Sequence, residues 1–249
     1  ALAIDRFVKA GDASSISDLA KKGATSILKN TGGKDEPSRM IRDLANRLKA
    51  FSQGLSTCRG PKISALVSEL KNILRSCVRL ETEKPLKPLL EHLQSQIEAF
   101  DGDFVRDGIQ AARWCLEHNL IQQGYTILQE ILITHFVREA NLDFLKRENR
   151  ELVNSAVSAI IRKKTEENWR KKEGGEEVLN IYLDLLRKDP DLAQTLSALS
   201  MNRNDFNHAG FRVNARDAGK FAVDLEALIK KFENKFQKKA AGAAESLQR

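Results

Sequence analysis

Apolar residues in this chain recur every three to four positions and hardly anywhere alternate with polar ones. That period is the constraint that matters most, because it places the apolar side chains on one stripe of a helix and on neither face of a strand. "KISALVSELKNILRSCVRL" (62–80) carries Ile63, Leu66, Leu70, Ile73, Leu74 and Val78 on such a stripe. "EPSRMIRDLANRLKAFSQGL" (36–55) does the same with Met40, Leu44, Leu48 and Phe51. "SSISDLAKKGATSILKN" (14–30) opens on a serine suited to capping and sets Ile16, Leu19, Ala20 and Ile27 near one face. "KPLKPLLEHLQSQIEAF" (84–100) follows, its prolines near the start, where a helix tolerates them. The expectation is an all-α protein, a multi-helix bundle whose stripes form the core.

A break falls at "DGD" (101–103). Beyond it lie helical patterns over 104–118, 119–140, 147–172, 176–189, 190–200 and 215–239. Asn119 is placed to end one helix and begin the next. "KKEGGEE" (171–177) reads as a polar glycine-containing loop, and Pro190 suits a first helical turn. The expected organisation is an N-terminal helical region (1–101), a helical bundle (102–240) and a frayed tail (241–249). No repeat of fixed period is present.

Composition narrows the function classes. Charged residues make up 30% and hydrophobic residues 41% of 249, an ordinary globular balance. A formal charge of +7 is compatible with a polyanionic partner such as RNA without requiring one. Cys58, Cys77 and Cys115 are scattered and odd in number, which points to reduced thiols in a cytoplasmic protein. No apolar run approaches the ~18–20 residues of a membrane span, and the first residues lack the apolar core of a signal peptide. The absence of an initiator Met points to a processed piece or a fragment. His92, His118, His135 and His208 have no metal-ligand spacing, so neither a metal nor another cofactor is expected. Phosphate loops, dinucleotide fingerprints and nucleophile elbows are absent too.

The remaining chemistry is an arginine five residues before a histidine. Arg203 and His208 in "RNDFNH" have this spacing, and so do Arg113 and His118 in "RWCLEH". With 19 arginines in the chain, chance supplies about 0.3 such pairs over four histidines, so spacing alone does not decide. Context separates the two. Arg113 and His118 fall within an amphipathic helix, about 140° apart around it, with packing residues between them. The 203–208 segment is expected at a junction between helices, where asparagines, Asp205 and the following Gly210 leave it polar. An arginine fork suits phosphate oxygens, and a histidine exchanges protons near neutral pH. Together they suit RNA cleavage without metal, in which a base frees the ribose 2′-oxygen to attack the neighbouring phosphorus. The same two residues equally suit capping of helix ends.

"RNDFNH" resembles the RxxxxH signature of the HEPN superfamily, with Asn204 at its polar position. Together with "AARWCLEHNLIQQGYTILQEILIT" (111–134), it resembles the C-terminal region of the CRISPR-associated CARF–HEPN ribonucleases of type III systems. The resemblance spans roughly 104–236 and implies a HEPN-type bundle with additional N-terminal helices. It further implies a metal-independent endoribonuclease acting on single-stranded RNA in antiviral defence, its site composed from two protomers of a homodimer. Carried over, Arg203 stabilises the phosphate, His208 transfers protons or positions RNA, and Asn204 holds the geometry by hydrogen bonding. Arg212 and Arg216 are candidate RNA-backbone contacts, as is "KKFENKFQKK" (230–239), although solvated surface suits all of these. Glu130, in "LQEIL", is a candidate second polar group. The family's CARF sensor, which binds cyclic oligoadenylate, has no counterpart here, since no βα units occur. It belongs to the picture if this chain is part of a longer protein. Two other readings stay open: a non-catalytic helical dimerisation or interaction module, and a HEPN toxin of a toxin–antitoxin pair.

Overall fold

A computed structural model describes residues 2–79, 87–162, 176–211 and 213–246. Among them are eleven α-helices and no strand, so the chain is an all-α multi-helix protein. They fall into two compact units, 1–124 with 233–249, and 125–232.

The first unit holds α1 (Leu2–Ala10), α2 (Ser14–Asn30), α3 (Glu36–Ser56), a 3₁₀ turn (Gly60–Lys62), α4 (Ile63–Arg79), α5 (Lys87–Glu98) and α6 (Phe104–Glu117). Successive helices pack on one another from α1 to α5, and α6 packs on α3 and α4. The core is aromatic: Phe51 meets Trp114 edge-on at 5.1 Å and Phe100 edge-on at 6.1 Å.

The helix starts are set by aspartates. Asp35 accepts from Ser38 N at 2.9 Å, and Asp103 accepts from Val105 N and Arg106 N at 3.1 and 2.9 Å. The "DGD" break is thus the cap of α6. Buried Asp107 closes it by accepting from the Asp101 and Gly102 amides at 2.9 and 3.2 Å. The division into units falls later, inside α7 (Ile121–Glu139).

α2 differs from its sequence reading in two ways. Ser14 does not cap it; its own amide donates to Asp12 Oδ1 at 2.9 Å. The buried positions are Ser17, Ala24 and Leu28, whereas Leu19 and Ile27 are exposed. Small side chains at 17 and 24 present a narrow face to the neighbouring helix, and packing overrides the stripe that hydropathy alone selects. α3 and α4 keep most of their expected stripes: Leu44, Leu48, Phe51, Ile63, Leu70 and Leu74 are buried and Met40, Leu66 and Ile73 half-buried, but Val78, in the last turn of α4, is exposed.

The second unit holds α7 from Tyr125 onward, α8 (Arg147–Ile161), α9 (Glu176–Arg187), α10 (Pro190–Asn207) and α11 (Lys220–Ser246) as far as Phe232. α7 is apolar around most of its circumference, and Tyr125, Leu128, Leu132 and Val137 are fully buried, the pattern of a central helix. α8, α9 and α10 pack on one another. The expected extension of α8 to residue 172 and most of the 171–177 loop lie outside the described residues.

α11 begins at Lys220, five residues later than its periodicity suggests. A turn at Asp217, which accepts from Gly219 N and Lys220 N, precedes it. The helix continues to Ser246, past residue 240, where the sequence reading begins its tail.

Candidate active site

α10 is closed at both ends by its own sequence. Asp189 accepts from Leu192 N at 3.2 Å, and Pro190 occupies the first turn. At the other end His208 is the C-cap. The Ala209 amide donates to the Phe206 carbonyl at 3.0 Å and the Gly210 amide to the Asp205 carbonyl at 3.1 Å. This is a Schellman ending, and it requires positive φ at Ala209 (49°).

Arg203 to Asn207 therefore form the last turn of a helix and not a junction loop, which corrects the sequence reading. Low helix propensity at Asn204, Asp205 and Asn207 is overridden by tertiary contacts. Asp205 is buried and accepts from Arg216 N at 2.7 Å. Phe206 lies 4.2 Å from Phe221 and 5.9 Å from Tyr125 between ring centroids.

The rival pair shares this backbone. His118 caps α6, Asn119 has φ 58°, and the Leu120 amide donates to the Cys115 carbonyl at 2.7 Å. Backbone position therefore does not distinguish the two motifs; surroundings do. In the first unit, Arg113 makes a two-pronged bond to Glu233, 2.6 Å on each prong. His118 is buried, stacked on Trp114 at 4.4 Å, and its Nδ1–H donates to the Trp114 carbonyl at 2.8 Å. Burial lowers its pKa below the usual histidine value. The histidine of that pair is taken up by the core, and the arginine by Glu233.

In the second unit, the Arg203 side chain is 30% exposed and donates through Nη1 to Glu130 Oε1 at 3.0 Å. Glu130 Oε2 accepts from Arg150. Arg150 also donates to the Glu130 carbonyl at 3.2 Å, to Thr134 Oγ1 at 2.7 Å and to the Phe144 carbonyl at 3.2 Å. Glu130 is thus a carboxylate clamped between an anchored arginine and an arginine that faces solvent. Next to Arg203 in the chain, Asn202 donates to the Tyr125 hydroxyl at 3.2 Å, which itself donates to the Phe221 carbonyl at 2.9 Å. Burial raises the Tyr125 pKa, which keeps the hydroxyl protonated and able to donate.

His208 and Asn204 are exposed, and among the described residues neither side chain makes a hydrogen bond or an ion pair. Among the described residues, the side chain of Arg203 has one hydrogen bond, to Glu130. Arg203 and His208, five apart on a helix, lie about 140° apart around its axis. One chain therefore offers an arginine on one side of the helix end and a histidine on another. Arg216 is engaged within the chain, its amide on Asp205 and its guanidinium on Asp224. Arg212 lies outside the described residues. Arg150 was missed by sequence reasoning, because nothing in "RENREL" marks one arginine as the partner of a glutamate twenty residues earlier.

Residues 1–103 match the family model described as CRISPR-associated protein MJ1674, second domain. The match supports a CRISPR-associated protein family and ends before the second unit begins. Neither the curated proteins nor the solved structures supply a match to this chain.

Proposed function

We propose that the chain is a metal-independent endoribonuclease of CRISPR-related antiviral defence. It cleaves single-stranded RNA with Arg203 and His208 contributed by two copies. The observation that carries this reading is the end of α10: a part-exposed Arg203 held by the braced Glu130, and an exposed His208 whose side chain has no hydrogen bond or ion pair among the described residues. In the competing motif the histidine is instead buried, stacked on Trp114, while Arg113 is held by both oxygens of Glu233.

The chemistry follows from the residue types. The ribose 2′-hydroxyl gives up its proton to a base, and its oxygen attacks the adjacent phosphorus. The bond to the 5′-oxygen breaks, and that oxygen takes a proton from an acid. The products are a 2′,3′-cyclic phosphate and a 5′-hydroxyl. Arg203 donates to the non-bridging oxygens as charge builds on them, and His208 is the group able to exchange protons. The match of residues 1–103 supports the CRISPR setting.

The test is cleavage of a labelled single-stranded RNA in EDTA. Wild type should generate cyclic-phosphate ends. Arg203→Ala and His208→Ala should each lower the rate about a hundredfold or more, the scale of a lost proton-transfer or charge-stabilising group. Cleavage equal to wild type in either variant would remove that residue from the site. An inert wild-type protein that nonetheless self-associates would favour the interaction-module reading.

A further inference from the structure

Phe211 lies one residue beyond the helix ending and is not covered by it. A Schellman ending often pairs an apolar residue two past the cap with one three before it. Here those places hold Gly210 and Asp205, so nothing captures the phenyl ring, which is 90% exposed. The backbone beneath it is tightly fixed. The Phe211 amide donates to the His208 carbonyl at 2.9 Å, and both residues between them have positive φ, 49° at Ala209 and 72° at Gly210. This is the signature of a type I′ turn. Alanine is a costly residue in that conformation, and such costs persist where the structure needs the geometry. What this turn achieves is to hold an exposed aromatic ring one tight turn from the exposed His208.

The electrostatics of the place select the ligand. The C-terminal end of α10 carries partial negative charge from its last carbonyls, which disfavours a phosphate directly over it. A neutral base meets no such penalty, and an exposed aromatic face is the usual platform for unpaired bases. Resting on the nuclease reading above, we propose that Phe211 stacks on a nucleobase of single-stranded RNA next to the scissile phosphate. The base sits on Phe211, and the phosphate reaches Arg203. The reading makes Phe211 a substrate-binding residue that favours unpaired RNA, because a duplex offers no free base face.

The experiment uses full-length protein and 2′-O-methyl RNA 12-mers, which cannot be cleaved through the 2′-oxygen. One oligonucleotide carries bases and the other is abasic throughout. Fluorescence anisotropy gives Kd for wild type, Phe211→Ala and Phe211→Trp. Phe211→Ala should weaken binding of the base-bearing strand about five- to a hundredfold, the range for one lost stack. It should change binding of the abasic strand less than about twofold, and Phe211→Trp should bind the base-bearing strand at least as tightly as wild type. Equal losses on both strands, or none on either, would overturn the proposal. So would conversion of a wild-type dimer to monomer by Phe211→Ala in sedimentation, which would assign the ring to a protein contact. Cleavage in EDTA, run in parallel, separates the two readings. Wild-type cleavage that needs His208 but ignores Phe211 would sink the stacking role alone. No RNA binding or cleavage by any of the proteins would sink both.

Discussion

Glu130 accepts from two arginines that are held by unlike numbers of partners. Arg150 reaches two backbone carbonyls and Thr134 besides the carboxylate, so its position is over-determined. Among the described residues the Arg203 side chain has a single hydrogen bond, to Glu130 Oε1. The carboxylate therefore passes the rigidity of Arg150 on to Arg203. Glu130→Ala should release Arg203 and slow RNA cleavage about ten- to a hundredfold, the usual consequence of a misplaced catalytic group. Unchanged rates would mark the pair as an ordinary surface ion pair, worth little. His118 yields a prediction of another kind. Burial depresses its pKa, so as pH falls the unfolded chain takes up the proton first. Its contribution to stability is complete above about pH 6.5 and is lost as pH drops from there toward its folded pKa. Thermal melts between pH 7.5 and 5.5 should show a falling Tm, with a shallower slope in His118→Phe. An identical slope in that variant would show that other groups carry the effect.

At the scale of elements, the sequence predicted existence and type far better than boundaries. Strong stripes such as Leu44–Leu48–Phe51 and Leu70–Leu74 were legible because a 3.6-residue repeat has one structural meaning. The ends were not. The last turn of α10 is rich in asparagine and reads as a loop, since the burial of Asp205 and the packing of Phe206 on Phe221 cannot be seen in one dimension. α2 shows the same limit, as the face it buries is set by small residues and not by its largest ones. The turn between α1 and α2 depends on one such unseen contact. Gly11 has φ 63°, and a Cβ there would sit 3.1 Å from Trp114 Nε1 and 3.3 Å from the His118 side chain. Ser52 Oγ donates to the Gly11 carbonyl at 2.6 Å and accepts from Ala13 N at 3.3 Å. Gly11→Ala therefore meets both a backbone penalty and crowding against a stacked pair. It should destabilise the fold by about 2 kcal/mol, read from the denaturant midpoint at constant m-value. A loss under about 0.5 kcal/mol would mean the turn relaxes freely.

At the scale of the whole molecule, the site's residues were legible only in part. "RNDFNH" was found by spacing, but the spacing also picked out "RWCLEH", and the backbone places both histidines at equivalent helix caps. What tells them apart is whether the surrounding helices have buried the histidine, as they have His118 and not His208, which is a property of the fold. That criterion also bears on assembly. Arg203 and His208 diverge by about 140° around one helix end, so a reaction centre needing both is most simply built from two chains. Cleavage should then depend on concentration. Rate per chain should be constant where the dimer is saturated and fall on dilution below its Kd, where the observed rate turns second order in protein. Mixing Arg203→Ala with His208→Ala should recover cleavage that neither variant shows alone, because the mixed dimer pairs an intact arginine of one chain with an intact histidine of the other. A rate strictly proportional to concentration, together with an inactive mixture, would place both residues of the working site on the same chain. The reaction centre would then require the end of α10 to unwind by enough to swing His208 round to Arg203, breaking the Ala209 and Gly210 amide bonds that now close the helix.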